Sequence, residues 1–496
     1  MPKICLCLTG KTIERNLAVL EKHRKYIDIA ELRADYLCAD EHFYIRKFPE
    51  LAGIPVILTV RKKEDGGQFD GGESSRIMLL SKGLAFAQPD KRCNFAYVDL
   101  EEDLDIPSLE EVARAFGTRI IRSFHNLTGT DEKLLQRIKS LSQVGDEIIK
   151  AAVMPKNLDD VQKIFAAAKE LKGVDKILLG MGDCGSCTRI LADKLGSYLT
   201  YAAVKDEPDF SLAASGQLDP KELQEFYRFK HINNETAVYG ITGFPLLTTS
   251  SPAFFNSVFA RTERNAVYIR FPSDNIKSFV HLADEINLAG ASVTIPHKES
   301  LLHYLTTMSD KVLSVGACNT IVRTPKGFSG YNTDTDGFSQ SLLNFIGRKD
   351  FKGMKVTVIG AGGAARAVAA ELFRLKAKTL ILNRDPLRAG ELADKYNFEF
   401  DALDEEGIKR IKKFNNIIIQ TTSVGMEPAI EGDPILPYRF TGKEIVMDII
   451  YKPAKTHLLN RASSAGCKIL NGFDMLNRQA KCQYKLFFGE EYPEEE

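Results

Sequence analysis

Neither sign of charge is in excess: lysine plus arginine and aspartate plus glutamate each number 66 in a chain of 496 residues. Without a global field to attract a polyanion or an anionic bilayer, nucleic-acid and membrane partners are not expected, and small-molecule chemistry is. Long apolar runs are missing too. No uninterrupted stretch approaches the roughly 20 residues that span a bilayer. The opening MPKICLCLTG enters an apolar alternation directly, with no charged n-region and long h-region, so a soluble, cytoplasmic protein is expected. A disulfide signature is also lacking. The nine cysteines, an odd number, are scattered at Cys5, Cys7, Cys38, Cys93, Cys184, Cys187, Cys318, Cys467 and Cys482. CGSC at 184–187 has no second ligand pair and reads as a glycine-rich loop with free thiols, so no metal site is expected.

The length exceeds the roughly 250–300 residues at which a single core stops growing, so two or more domains are expected. In residues 1–229, eight apolar runs (ICLCL, YIDIAEL, IPVILTV, FAYVDL, TRIIRSF, EIIKAAVM, KILLGM, YLTYAAV) alternate with stretches of helical period such as DDVQKIFAAAKEL. That is the count and size of an α/β (β/α)8 barrel, whose chemistry sits where each strand ends. The polar KHINNET at 230–236 marks a boundary, and AVYGITG then starts a second alternation with two centres. One lobe spans 237–345 and is completed by a closing helix at 470–490; the other, at 346–469, reads as a Rossmann domain.

Strand ends in the first half collect Glu31, Arg33, Arg61, Glu101, His125, Lys150 and Arg189. Lys150 lies inside DEIIKAAVMP, where a desolvated amine can attack a carbonyl and form a Schiff base. His125 on the neighbouring run is the natural proton carrier. The three arginines suit an anionic substrate, since a guanidinium binds carboxylate as a bidentate fork. Each has a plainer account: Lys150 as an ion-pair partner of Glu31, His125 bonded to a loop, Arg33 neutralising Glu31.

The second half carries KVTVIGAGGAAR, a buried strand running through glycines into a helix. Gly360, Gly362 and Ala365 give the G-x-G-x-x-A spacing, with Gly363 and Ala364 inside it, so that a pyrophosphate can approach the helix N-terminus. The next strand ends at Asn383, Arg384 and Asp385. Arg384 and Arg388 suit the 2′-phosphate of NADP, while Asp385 leaves NAD as the alternative. Lys298 in SVTIPHKE and Asn332 and Asp334 in GYNTDTDGF could serve a polyol and its oxygen proton beside a nicotinamide. Taken singly, Lys298 reads as a solvated charge at a helix start and NTD as a turn.

ELRAD, the arginine before KKEDGG, SFHN, KAAVMP and the late SGQ together resemble type I 3-dehydroquinate dehydratase over nearly all of residues 1–225. The resemblance implies imine formation on Lys150 and acid–base work by His125. Glu31, Arg33, Arg61, Arg189 and Gln217 would shape proton transfer and hold substrate. Cys7 stands where a serine is common, Asp65 or Glu64 where a glutamate precedes the glycine pair, and Ala213 where a hydroxyl residue is usual. Residues 237–490 resemble shikimate dehydrogenase: PLLTTSSP matches the carboxylate-binding motif through Thr249, replacing a serine, and Ser251. Lys298 and Asp334 match the catalytic pair, Asn319 and Gln479 the ring-hydroxyl ligands, and Tyr451 with TTSVGM (Thr421, Ser423) the nicotinamide edge.

The two resemblances imply one chain with two consecutive steps of the shikimate pathway: dehydration of 3-dehydroquinate to 3-dehydroshikimate, then reduction to shikimate with NADP as cofactor. The alternatives are a catabolic quinate/shikimate dehydrogenase using NAD and a ligand-sensing regulator; intact Lys150 and Lys298 and the lack of a basic helix-turn-helix signal argue against the regulator. The sequence is compatible with a homo-oligomer and does not specify one.

Overall fold

The eight apolar runs become eight strands in the computed structural model, which describes residues 1–84, 93–141, 146–246 and 249–494. They are β1 (Lys3–Leu8), β2 (Ile29–Arg33), β3 (Val56–Thr59), β4 (Tyr97–Glu101), β5 (Arg119–Asn126), β6 (Ile148–Val153), β7 (Lys176–Gly180) and β8 (Leu199–Ala202). All pairings are parallel and follow sequence order, and β8 returns to β1 with Lys3 opposite Leu199. Between β7 and β8 a parallel bridge joins Lys176 to Ser197, and the Tyr198 amide donates to the Lys176 carbonyl over 2.6 Å.

A strand alternates its faces with period two, so every second residue points into the barrel. The inward set starts apolar, with Cys5, Ile29, Ile57, Tyr97, Ile121, Ile148, Ile177 and Leu199 in one core cluster. The alternate residues, among them Leu6, Ala30, Leu58 and Val98, pack in a separate cluster with helix residues such as Leu20, Leu80 and Leu109. Continuing the inward parity two or four residues towards the strand ends reaches Cys7, Glu31, Thr59, Asp99, Glu101, Ser123, His125, Lys150 and Tyr201. Register then aligns them: Cys7 lies opposite Glu31, and Glu101, Ser123 and Lys150 face one another across β4, β5 and β6.

The chain divides into two compact units, Met1–Tyr239 with Asn256–Leu288, and Gly240–Phe255 with Ala289–Glu496. Asn256–Leu288, which the sequence assigned to the 237–345 lobe, groups with the barrel. There Ser278 Oγ donates to Asp159 over 2.5 Å and Lys169 pairs with Glu285 at 2.6 Å.

In the second unit a parallel sheet runs in the order Glu399–Ala402, Lys378–Asn383, Lys355–Ile359, Ile417–Gln420, Ile445–Asp448, Lys468–Leu470. This is the doubly wound arrangement, in which strand order reverses between Lys355–Ile359 and Ile417–Gln420 and leaves a crevice beyond their ends. The unit also carries a mixed sheet in which Thr320–Thr324 is antiparallel to both Gly290–Val293 and Gly327–Tyr331. Among the described residues no helix is long and apolar enough to cross a membrane.

Candidate active sites

The barrel mouth holds a cavity of about 280 Å3 lined by Cys7, Glu31, Arg33, Arg61, Asp65, His125, Lys150, Arg189, Tyr201, Ala213 and Gln217. Every barrel residue singled out from sequence for chemistry is therefore on this wall except Glu101, which lies behind Arg61. Asp65, not Glu64, is the acidic residue that reaches it.

Lys150 pairs with Asp99, Nζ to Oδ2 at 2.7 Å, and not with Glu31. Glu31 is instead a second acceptor centre, taking the Thr59 hydroxyl at 2.9 Å and the Cys7 thiol at 3.0 Å. Asp99 also meets Arg61 at 3.0 Å and accepts from Ser123 Oγ at 2.5 Å. Arg61 continues to Glu101 at 2.8 Å, and Glu101 to the buried Arg76 at 3.1 Å. The result is an alternating row of charges, Lys150–Asp99–Arg61–Glu101–Arg76. Burial alone would push the Asp99 carboxyl up, but the Arg61 guanidinium and Lys150 ammonium outweigh it and hold it well below the usual carboxylate range.

His125 has the opposite surroundings. Burial and then the neighbouring Arg61 and Lys150 push its imidazole well below its ordinary value, and its Nδ1 has no partner among the described residues. It is a neutral ring at neutral pH, able to accept a proton.

The three arginines also differ. Arg33 forks onto Asp35 at 2.9 and 2.7 Å, so its hydrogen-bonded partner is Asp35 and Glu31 acts on it only through charge, and Arg61 is shared between Asp99 and Glu101. Arg189 is 1% exposed, donates only to the Tyr201 carbonyl at 3.3 Å, and leaves its Nε unpartnered among the described residues. Burial pushes it down to about 10, still protonated at neutral pH. A buried cation without a counter-ion is a position prepared for an anionic group. Gln217 bridges Cys7, at 3.2 Å, to the Ala214 amide.

The second site is assembled from distant segments. Lys298 Nζ lies 2.5 Å from Asp334 Oδ2, at the first residue of helix Asp334–Ile346. Asn319 donates to the other oxygen of Asp334 at 2.9 Å and to Gln479 at 3.0 Å. Gln479 comes from helix Phe473–Phe488, brought close because Gly337 lacks a side chain: a Cβ there would stand 2.7 Å from the Met475 carbonyl. Asn332 turns away from a ligand-reading role, donating to the Ala317 carbonyl at 2.8 Å and accepting from the Thr335 amide. Thr249 and Ser251 hydroxyls are 3.4 Å apart, and burial pushes the nearby Tyr451 phenol up against the opposing influence of Thr249 and Ser250. Leu247 and Thr248 of PLLTTSSP lie outside the described residues.

Adjoining Lys298 is a cavity of about 390 Å3, lined by Gly362, Gly363, Ala364, Arg388, Thr421, Ser423 and Tyr451, among others. It sits at the crevice where the strand order reverses. Gly360 has φ +112 and a Cβ there would lie 2.6 Å from the Thr421 hydroxyl, so the turn requires glycine. Thr421 uses that hydroxyl on the Ile359 carbonyl at 2.6 Å. Asn383 donates to the Asp385 carbonyl at 3.0 Å, and Asp385 caps helix Pro386–Asp394 through the Leu387 amide at 3.0 Å. Arg384 and Arg388 are exposed, Arg388 reaching Glu299 only at 3.8 Å.

Three family models match the chain: type I 3-dehydroquinase at residues 4–234, shikimate dehydrogenase substrate binding domain at 241–321, and shikimate / quinate 5-dehydrogenase at 343–437. A bifunctional 3-dehydroquinate dehydratase/shikimate dehydrogenase, chloroplastic, from Arabidopsis thaliana is 30% identical over 99% of this chain and 83% of its own. The chain belongs to that bifunctional dehydratase/dehydrogenase family. A shikimate dehydrogenase (NADP(+)) from Caldanaerobacter subterraneus subsp. tengcongensis is 35% identical over 52% of this chain and 94% of its own. The solved shikimate dehydrogenase of Aquifex aeolicus is 35% identical, covers 53% of this chain and 96% of its own, and has a TM-score of 0.49.

As a member of the bifunctional family the protein is both a lyase and an oxidoreductase of the shikimate pathway. Sequence reading missed Tyr201 on the wall of the dehydratase pocket, and Asp99, Ser123 and Thr59, which bond the wall residues Lys150, Arg61 and Glu31. Asp99 was within reach: it is two residues from Glu101 and so shares its face of β4.

Proposed function

We propose that the barrel captures the ketone of 3-dehydroquinate as an imine on Lys150, with His125 moving the proton and Arg189 holding the substrate carboxylate. The observation that carries this is Arg189: a desolvated guanidinium with no carboxylate partner among the described residues, on the wall that also presents Lys150. Glu31, Gln217, Arg33 and Arg61 keep the polar groups around the ligand fixed through the contacts described above. An amine must lose its proton before it attacks, so arrival of the ketone must go with release of the Lys150–Asp99 contact, and neutral His125 is the adjacent group able to take the proton. A protonated imine acidifies the neighbouring C–H, and the β-hydroxyl then leaves as water.

In the second unit the product 3-dehydroshikimate becomes shikimate. NADPH, when bound, supplies the hydride. The glycine turn, with the crevice beyond it and the start of helix Gly363–Arg374, fits a pyrophosphate. Exposed Arg384 and Arg388 fit a 2′-phosphate, while Asp385 is engaged as a helix cap and so favours NADP over NAD. Lys298 and Asp334 deliver the oxygen proton, Asn319 and Gln479 hold ring hydroxyls, and Thr249, Ser251 and Tyr451 bind the carboxylate end. All nine cysteines are free, which supports a reducing compartment such as the cytoplasm.

The test is to supply 3-dehydroquinate and NADPH and to follow enone absorbance and NADPH loss together. Borohydride added during turnover should increase the chain mass by one reduced adduct at Lys150; an unmodified mass, or a tag elsewhere, removes the imine reading. Comparing quinate with shikimate, and NAD with NADP, in the reverse direction tests the reductase assignment.

A further inference from the structure

One polar atom in the dehydratase pocket is left without a role. Tyr201, on β8, is 3% exposed and lines the cavity, and its hydroxyl has no hydrogen-bond partner among the described residues. A buried hydroxyl with no partner is costly, and native interiors keep few of them. The neighbouring acceptors are already engaged: Glu31 takes Thr59 and Cys7, Asp99 takes Ser123 and Lys150, and the Cys7 sulfur takes Gln217.

Position narrows what the hydroxyl awaits. The Tyr201 ring stands under Lys150, with Nζ 4.4 Å from its centroid, and the Tyr201 carbonyl is the acceptor that holds Arg189. The residue therefore touches both the group that takes the ketone and the group that takes the carboxylate. In 3-dehydroquinate one methylene separates the ketone carbon from the carbon that bears both the carboxylate and the departing hydroxyl. We propose that the Tyr201 hydroxyl is a substrate-binding donor to an oxygen on that carbon, completing the pocket between Lys150 and Arg189. Burial, then Glu31 and the nearby thiols and Asp99, push the phenol well above its ordinary value, so it stays a donor throughout the working range. The proposal rests on the reading of Lys150 and Arg189 given above.

Tyr201→Phe tests it, because the ring under Lys150 remains and only the oxygen is lost. The variant should melt at the wild-type temperature or higher, since the deleted group has no partner among the described residues, while kcat/KM for 3-dehydroquinate falls about 10-fold, the size of one hydrogen bond. A fall carried by KM assigns the contact to the carboxylate; one carried by kcat assigns it to the departing hydroxyl. Wild-type kcat and KM in Tyr201→Phe would overturn the proposal, and so would a lowered melting temperature, which would mean that the oxygen is bonded within the protein. If the wild type itself shows neither dehydration nor borohydride trapping, the Lys150 reading falls and this one with it. An active wild type with an indistinguishable Tyr201→Phe removes this one alone.

Discussion

The two lysine sites of this chain are built in different ways. In the barrel, Lys150 on β6 is one end of a row of buried charges in which strand period puts Asp99 and Glu101 on one face of β4, Arg61 follows the end of β3 and Arg76 comes from helix Glu73–Leu84. In the second unit, Lys298 meets a single carboxylate, and the surrounding groups arrive from residues 319, 334 and 479 by tertiary packing. The barrel thus places its chemistry by repetition, and the dehydrogenase by close approach of helices at glycine. A site of the first kind shares its charge among many groups, whereas one of the second kind depends on one pair.

Four experiments break or sharpen that contrast. Lys150→Ala should lower dehydration by at least about 10^4-fold, as expected for loss of a covalent nucleophile, and leave 3-dehydroshikimate reduction unchanged, measured by NADPH absorbance. Asp99→Asn should cost about 3–5 kcal/mol of stability, because it leaves Arg61 and Lys150 facing a neutral amide inside the barrel; denaturant unfolding reads it. Lys298→Ala should slow reduction by about 10^2–10^4-fold, the range for one acid–base group, without changing dehydration; a slowed dehydration would mean the two sites are coupled. The smallest effect is in pH. His125 is held neutral when folded, whereas an unfolded imidazole titrates near 6.5. Its contribution is fully present above that value and is lost as pH falls towards the lowered folded value, with a slope of at most about 1.4 kcal/mol per unit. His125→Gln should flatten that slope in melting temperature against pH.

Much of the first site was legible because a strand has only two faces. Glu31, Arg61, His125 and Lys150 could be placed on one rim from their positions at run ends. What was misread is pairing. The plainer account of Lys150 made Glu31 its counter-ion, whereas strand register sets Glu101 level with Lys150 and the ammonium pairs with Asp99, two residues earlier on the same face of β4 and hidden within the apolar run FAYVDL. Tyr201 was hidden in the same way, as one more apolar letter in YLTYAAV. Arg33 forks onto Asp35 two residues later, a partner visible in ELRAD itself. In the second unit the order of motifs identified the residues but not their contacts. The side-chain amide of Asn332 is taken by the distant Ala317 carbonyl and the Thr335 amide of its own turn, and the grouping of Asn256–Leu288 with the barrel depends on a helix contact that no local pattern announces.

Gly363 carries one more consequence. A Cβ there would stand 3.1 Å from Cβ and 3.2 Å from Cδ of Lys298, so the wall of the glycine turn is also the backstop of the lysine stem. Redesign of coenzyme preference at this turn is therefore not independent of turnover: bulk introduced to tune nucleotide fit would also deflect the ammonium, and selectivity and rate would have to be optimised together.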